Sequence, residues 1–426
     1  MSPDPGAALA LSGTGQPVHP ERTLWLLSAA HAVNHAQAVI LPLIFLKIIK
    51  EFGVGAETVA FLAAAAAVSA GFVQASFAFI TRRLSRRLLM GIGGLLFGLG
   101  FAAQGAAPSF GAFALTNIVS RIGGSPQHPV GNGLLAEQFP PERRGFAISA
   151  HISGGNVGTV IVAIAGAWLL ANFGWRGVSL IFGIPAALVA LAILRWVRES
   201  GADRAAAIAE GSVRDAMRVI WRDPTIRRVY LASVLGGGGR GLGVANLFAV
   251  LYLTHVLGLP DETTNLMYGG LIVLSVPMPL VAGWLSDRIG RRPVILGAYI
   301  GGALGFVAFI AVGSSLLGLW VGLAIMGLFS FAESPQLQAL LADVAPAPIR
   351  DVTFALYFTL AFGVGSLWVA LYGAIISPSG LGEAAGLPIV FGLMAASFVA
   401  AAVVMLPVRD PPREPNRRAM EAAESV

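Results

Sequence analysis

Apolar runs of about 20 residues follow one another along nearly the whole chain, and a run of that length is what an α-helix needs to cross a bilayer. The first group of runs lies at 24–47, 57–80, 88–107, 110–135, 145–171 and 175–196. The second group lies at 229–256, 265–285, 293–314, 316–341, 352–376 and 386–406. The sequence therefore predicts an all-α membrane protein with twelve transmembrane helices in two pseudo-symmetric six-helix bundles.

The composition agrees with a protein that is surrounded by lipid. The chain has 426 residues, of which 56% are hydrophobic and 12% charged, and its mean hydropathy is +0.76. Soluble domains carry about a quarter charged residues. The net charge of +6 comes from basic residues in short loops, so we expect no nucleic-acid partner. The absence of cysteine excludes disulfides, thiolate metal sites and a cysteine nucleophile.

Lysine and arginine residues fall almost entirely on one side of the predicted membrane. The opposite side carries Lys47, Lys50 and Arg176. Because basic loops remain in the cytoplasm, both termini and the central loop are expected there. We expect the first span to be retained rather than cleaved. A composition rich in Ala, Gly and Arg favours the inner (cytoplasmic) membrane of a bacterium, with the chain as a multi-pass protein.

The central polar stretch divides the chain. We expect a cytoplasmic N-tail at 1–23, a six-helix bundle at 24–196, a cytoplasmic linker at 197–228, a second bundle at 229–406 and a cytoplasmic C-tail at 407–426. Within the linker, Ser212–Asp223 has apolar residues on one face and arginines on another, which predicts an amphipathic helix on the lipid surface. A regulatory docking helix is the alternative.

The two halves also resemble each other in sequence. GWLSDRIGRR at 283–292 corresponds to AFITRRLSRR at 78–87, and both follow the second span of their half. SPQ at 125–127, followed by LLAE, corresponds to SPQ at 334–336, followed by LLAD. An internal repeat of six spans is typical of transporters whose site lies between the halves.

GWLSDRIGRR resembles the signature of the major facilitator superfamily, with Gly283 and Gly290 at its glycine positions. The resemblance implies the two-bundle fold and a gating role for Asp287, Arg288, Arg291 and Arg292. The first-half copy departs from the signature, because Ala78, Arg82 and Ser85 replace its Gly, Asp and second Gly. A latch that depends on that aspartate cannot work in the same way here.

A more distant resemblance is to fosmidomycin-resistance-type exporters. It rests on His31-x-x-Asn34, on His128-Pro129, and on the segment Gly154, Gly155, Asn156, which we assign to the gate. Those exporters have an acidic residue after the asparagine of the first span, where this chain has His35. The resemblance therefore implies a relative with altered chemistry.

Polar side chains at membrane depth are costly and usually line a cavity or contact one another. They concentrate in the first and fourth spans of each half, which in this fold are implied to line the central cavity. The predicted substrate-binding residues are His31, Asn34, His35, Arg121, Gln127, His128, Arg240, Asn246, Gln336 and Gln338.

Charge at membrane depth indicates the kind of substrate. Arg121 and Arg240 are the cations that we place there, against the single carboxylate of Glu333. Since a buried arginine needs an anion, the excess of one positive charge predicts an anionic substrate. Arg121 could instead pair with Glu333 or with backbone carbonyls. The predicted proton-coupling residues are Glu333, His35 and Arg121; the alternative for Glu333 is a permanent ion pair with either arginine.

His31 and His35 lie four residues apart and share one helical face. This pattern favours substrate binding or proton coupling; the alternative is a histidine hydrogen-bonded to a neighbouring helix. We expect no metal site, because no acidic or cysteine ligand accompanies the pair.

The sequence thus predicts a secondary active transporter of a small organic anion or amphiphile, proton-coupled and working by alternating access. An uncoupled facilitator, an anion exchanger, a transporter-like membrane sensor and an integral-membrane enzyme acting on lipid are the alternatives. We expect no enzyme activity and no cofactor. The expected partners are the substrate, protons and membrane lipid, with the chain as a monomer.

Overall fold

The computed structural model describes residues 15–377 and 379–411, and most of them are helical. The start of the predicted N-tail and most of the C-tail, with Arg413, Arg417 and Arg418, lie outside these residues. In the first half the helices are α1 (Pro20–Phe52), α2 (Ala56–Ile80), α3 (Arg86–Gln104), α4 (Phe110–Gly124), α5 (Pro129–Gln138) and α6 (Pro141–Trp196). A 3₁₀ turn, Ser125–Gln127, joins α4 to α5.

The linker contains α7 (Ala202–Glu210) and α8 (Val213–Arg222). The second half contains α9 (Pro224–Gly236), α10 (Asn246–Leu251), α11 (Asp261–Leu274), α12 (Pro277–Ile289), α13 (Arg291–Ala311), α14 (Leu316–Ser330), α15 (Glu333–Val344), α16 (Arg350–Phe358), α17 (Ser366–Ile376) and α18 (Gly382–Met405). Short 3₁₀ segments lie at Gly237–Gly239 and Ala347–Ile349, and π-helical ones at Gly241–Ala245, Tyr252–Val256 and Thr359–Val364.

The prediction of twelve spans is confirmed. Among the described residues, 9 helices are long and apolar enough to cross a membrane, and one of them, Pro141–Trp196, has 56 residues. That helix holds two spans, because Gly174 interrupts it with a φ of 60°. The fourth and seventh spans are assembled from shorter helices on either side of a break.

Several spans that the hydrophobic runs predicted as continuous are broken near their middle. The fourth breaks before Pro129 and the eighth at Pro277, where the ring removes a backbone donor and clashes with the preceding turn. The seventh breaks after the glycine run, where Arg240 has a ψ of 131°. Broken helices are tolerated at this depth where protein or a cavity surrounds the freed backbone groups.

The outer surface is apolar, as a lipid-facing surface must be. Phe61, Phe72, Ile164 and Leu317 are each more than 75% exposed. A soluble protein rarely leaves so many large apolar groups in contact with water. The interior of the second half is filled by aromatic rings, among them Tyr299, Phe306, Phe391 and Phe398, which are fully buried.

The predicted amphipathic helix of the linker is present as α8. Ser212 and Asp215 form a capping box at its N-terminus, and the hydrogen bond from Ser212 lowers the pKa of Asp215. Ile220 is fully buried and Met217 packs against the second half, while Trp221 is half-exposed. The apolar face is therefore covered mainly by protein, because the second half offers it an apolar surface.

Close packing between α1 and α6 depends on the glycines of α6. A Cβ on Gly154 would lie 2.8 Å from the Ser28 carbonyl, and one on Gly158 would lie 1.8 Å from the Ala32 carbonyl. Both neighbours are backbone, which cannot move aside without separating the helices. This approach places the histidines of α1 against α6.

Gly158→Ala is accordingly expected to lower the melting temperature in detergent, since overpacking costs about 1–3 kcal/mol. Gly392→Ala in α18 is the matched control: a Cβ there meets nothing within 4 Å, so no loss of stability is expected. Thermal unfolding followed by size-exclusion chromatography measures both variants. Equal melting temperatures would show that α1 and α6 can separate at no cost.

Candidate functional site

Arg240 and Glu333 form a buried ion pair in the second half. Arg240 Nε donates to Glu333 Oε1 at 3.0 Å, and Glu333 is fully buried. The guanidinium also donates to the carbonyls of Ser233 at 3.1 Å and Ala361 at 3.3 Å. The Tyr299 hydroxyl donates to the second carboxylate oxygen at 3.4 Å. Each charge is thus hydrogen-bonded, which a buried pair requires.

Both members of the pair stand where a span is broken. Arg240 lies between the 3₁₀ turn Gly237–Gly239 and the π-helical segment that follows, and Glu333 is the first residue of α15. The seventh span is therefore loosened around Arg240, directly after the four consecutive glycines at 236–239. A helix N-terminus favours a negative charge, so α15 supports the carboxylate as well.

Arg121 lies in the last turn of α4 and is half-buried. Glu333, a partner that the sequence offered it, pairs with Arg240 instead. Among the side chains that the structure describes, no hydrogen bond or ion pair to Arg121 is found, and its charge acts on His35. Arg121 is therefore a cation at membrane depth that has no anionic partner among the side chains described.

Four histidine rings meet in the first half, with His31 at their centre. The ring of His31 lies 4.5 Å from that of His35, 4.7 Å from that of His128 and 4.4 Å from that of His151, measured between centroids. His31 and His151 are fully buried. The shared helical face of His31 and His35 is confirmed, and α5 and α6 add the other two rings.

Fixed hydrogen bonds orient this histidine cluster. His31 Nδ1 donates to the His151 carbonyl at 2.9 Å, and His151 Nε2 donates to the Gln127 carbonyl at 3.2 Å. His35 Nδ1 lies 3.3 Å from the Thr159 hydroxyl. His128 stacks on Phe358 of the second half, with ring centroids 5.1 Å apart. The cluster therefore faces the boundary between the two halves.

Of the other predicted binding residues, three each lie within one half and two make hydrogen bonds between the halves. The amide of Asn34 lies against Gly124, Gln127 is buried beside the cluster, and Asn246 is half-buried at the start of α10. Two glutamines join the halves: Gln336 Nε2 donates to Ser149 Oγ at 3.0 Å, and Gln338 Oε1 accepts from Asn132 Nδ2 at 2.6 Å.

The predicted gate residues meet at the arginine-rich end. Asp287 accepts hydrogen bonds from the backbone N–H of Gly145 at 3.0 Å and of Phe146 at 2.8 Å, near the N-terminus of α6. Arg291 contacts the same carboxylate and donates to the Pro141 carbonyl at 2.7 Å. Asp287 and Arg291 thus hold the second half against the first.

The remaining gate residues lie apart from that contact. Arg288 stacks over Trp284 at 3.8 Å, and Arg292 donates to the Leu406 carbonyl at 2.7 Å, within the second half. In the middle of the membrane, Asn156 donates to the Ser275 carbonyl across the boundary at 2.6 Å. Gly154 and Gly155 pack α6 against α1 rather than against the second half.

The first-half copy of the gate includes a carboxylate that the sequence analysis did not identify, Asp203 of α7. Arg86, the counterpart of Arg291, binds Glu137 at 2.5 Å, Asp351 at 2.9 Å and Asp203 of α7 at 3.0 Å. Asp203 also binds Arg350 at 2.5 Å. The repeat lacks its aspartate at Arg82, so a linker carboxylate serves both arginines. In the sequence, the missing aspartate of the first-half copy was the one signal that another acid must neutralise Arg86 and Arg350.

Ion pairs between the halves gather at this same end. In the described part of the chain they are Arg86–Asp351 and Arg144–Asp343, the latter at 2.7 Å. At the opposite end Glu51 accepts hydrogen bonds from Trp175 and Arg176, at 2.6 Å each, within the first half. Those bonds, led by that of Trp175, lower the pKa of Glu51. The arginine-rich end is thus the one where ion pairs hold the two halves together.

Comparison with known proteins adds a family match. The sequence model of the Major Facilitator Superfamily matches residues 27–367 and 229–426. Among solved structures, the proton:xylose symporter XylE superposes with a TM-score of 0.73 at 15% identity, over 91% of this chain and 95% of that one. The E. coli fucose:proton symporter FucP gives 0.72 at 14% identity, over 91% and 97%.

Curated relatives are also similar to this chain. A probable 4-methylmuconolactone transporter of Cupriavidus pinatubonensis is 25% identical over 77% of this chain and 76% of its own. A gallate transporter of Pseudomonas putida is 28% identical over 64% and 66%. A cis,cis-muconate transport protein of Acinetobacter baylyi is 23% identical over 79% and 81%.

Proposed function

The chain belongs to the major facilitator superfamily, a family of transporters, and on that premise we propose that it moves a small organic anion across the membrane by alternating access, coupled to protons. The observation that carries the proposal is Arg121, which lies at membrane depth without an anionic partner among the described residues. A charged guanidinium in that position is stabilised when a carboxylate binds to it.

The names of the relatives support the same substrate class. Gallate and cis,cis-muconate are both carboxylates, and those two proteins are described as their transporters. An arginine binds a carboxylate through two parallel hydrogen bonds, which orient the anion as well as attract it. His35, within electrostatic reach of Arg121, is the second group that we assign to the substrate.

Proton coupling is assigned to Glu333. A proton on its carboxylate would weaken its hold on Arg240 and release that guanidinium toward the boundary between the halves. Both residues stand at helix breaks, where a change of pairing can alter the angle between the parts of a span. His35 is the alternative carrier, because an imidazole can take up a proton and the charge of Arg121 acts on it.

Alternating access requires two ends that close in turn. The ion pairs at the arginine-rich end support a state that is closed on that side. If basic loops face the cytoplasm, this is an outward-facing state. We assign the protein to the inner membrane of a bacterium, as a monomer with both termini in the cytoplasm and with bundle boundaries at 24–196 and 229–406.

Transport into liposomes tests the proposal. Purified protein is reconstituted with a pH-sensitive dye inside, and gallate, muconate, a phosphonate and a lipophilic cation are added under an imposed gradient. We expect proton flux with the carboxylates. Glu333→Gln should abolish that flux, since an amide carries no proton, while labelled substrate still exchanges. Glu383→Gln, which changes an exposed glutamate of the same half that contacts His255 outside the site and the gate, is the control.

Each other outcome supports a different hypothesis. Loss of proton flux in His35→Ala alone would move the carrier to α1. Uptake that ignores the pH gradient would indicate an uncoupled facilitator, and exchange without net uptake an anion exchanger. Flux driven by the cation alone would refute the anion site, and no flux with any solute would favour a membrane sensor.

A further inference from the structure

The histidine cluster has the composition of a metal site. One ring nitrogen from each of His31, His35 and His128 lies within 4.8 Å of the others. We infer that these three histidines bind a divalent transition-metal ion, with Zn²⁺ as the favoured one, at the boundary between the halves. The sequence argument excluded a metal because no acid or cysteine accompanies His31 and His35; the fold brings a third histidine from the fourth span.

Two of the three rings have a buried nitrogen that makes no hydrogen bond in the structure. Because a carbonyl only accepts, the proton of His31 must lie on Nδ1, which donates to the His151 carbonyl at 2.9 Å. The lone pair is then on Nε2, which is buried and has no partner. Donation of the other N–H to a backbone carbonyl is the arrangement that orients metal-binding histidines. His128 Nδ1 is likewise buried without a partner.

The ring nitrogens lie farther apart than the ligands of a bound zinc ion. Zn–N bonds are about 2.0–2.1 Å, so tetrahedral ligand nitrogens lie about 3.4 Å apart. The nitrogens here, at up to 4.8 Å, must approach each other by a little over an ångström. Gly155 lets the two rings lie this close to α6, because a Cβ there would lie 3.0 Å from the rings of both His31 and His35.

Three neutral imidazoles leave a fourth position open. Sites with three protein ligands and an open position are the catalytic or ligand-binding type of zinc site, whereas structural ones are closed. Arg121 is near His35, so an anion in the fourth position would balance both the metal and the guanidinium. If the proposed function is right, the substrate carboxylate can be that ligand, but the metal site does not depend on it.

Binding of Co²⁺ and Zn²⁺ to the purified full-length protein tests the inference without transport. The protein is prepared without a polyhistidine tag, stripped with chelator and titrated with Co²⁺, whose visible bands become intense in tetrahedral sites. We expect one ion per chain, displaced by Zn²⁺. His31→Gln, His35→Gln and His128→Gln should each weaken binding by roughly 100-fold or more.

His255→Gln is the matched control, because His255 contacts Glu383 far along the chain from the cluster and should leave binding unchanged. Since His128 Nδ1 has no partner to lose, His128→Gln should fold normally, as its melting temperature will show. The inference is overturned if no ion binds at micromolar concentration. It is equally overturned if folded cluster variants bind as the parent protein does.

Discussion

Arg121→Gln is expected to lower kcat/KM for carboxylate uptake by roughly 100-fold. Removing one member of a buried, hydrogen-bonded charge pair costs about 2–5 kcal/mol, and about 2.8 kcal/mol corresponds to that factor. The substrate takes the place of the missing anion in this argument, so the loss should appear in both KM and the rate. Arg121→Lys keeps the positive charge but lacks the planar guanidinium that binds a carboxylate through two hydrogen bonds. Its kcat/KM should therefore fall less than that of Arg121→Gln.

The measurement is initial uptake of labelled carboxylate into liposomes at saturating and limiting concentrations. Arg176→Gln is the control, because Arg176 is also an arginine of the first half but binds Glu51 at the opposite end. Unfolding of the variant is checked by its melting temperature. Full carboxylate uptake by a folded Arg121→Gln protein would remove the main support for the anion site.

The sequence determined the spans because the thickness of a bilayer sets a helix length that hydropathy alone reveals. It also predicted that, at membrane depth, the positive charges of Arg121 and Arg240 are balanced by the carboxylate of Glu333 and by an anionic substrate. It could not say which arginine takes the carboxylate. That choice depends on where α9 and α15 are broken, and the breaks arise from packing as much as from glycine and proline.

Residues that meet across distant segments were harder to predict. His31 and His35 were paired by their spacing on one helix, but His128 and His151 join them only because α5 and α6 pack on α1. Sequence spacing carries no information on such contacts without an alignment. The same reason hid Asp203, which lies in a polar linker among alanines and has no local pattern that marks it as buried.

Asp203→Asn is expected to shift the protein toward states in which the arginine-rich end is open. Asp203 is buried between Arg86 of the first half and Arg350 of the second. Without its carboxylate the two arginines repel each other, and among the described residues Glu137, Asp351 and Glu199 are the acids left near Arg86. Breaking such a buried pair costs about 3–5 kcal/mol, enough to change the populations of two states by at least roughly 100-fold.

Spin labels can report the change directly, because the chain has no cysteine to remove first. Leu84→Cys and Ile289→Cys place labels on exposed positions of the two halves at this end. In Asp203→Asn the distance distribution between the labels should lengthen, and Asp203→Glu should restore much of the short component. Asp215→Asn is the matched linker control, since Asp215 is exposed and pairs with Arg218 of its own helix.

The structural reason for expecting so large an effect lies in the asymmetry of the repeat. The second half carries its own gate aspartate, Asp287, in the last turn of α12. The first half has Arg82 at that position and recruits Asp203 from the linker instead. The linker then becomes part of the gate rather than a passive tether. An unchanged distance distribution in a folded Asp203→Asn protein would show that the remaining acids near Arg86 suffice, and that the linker is a connector only.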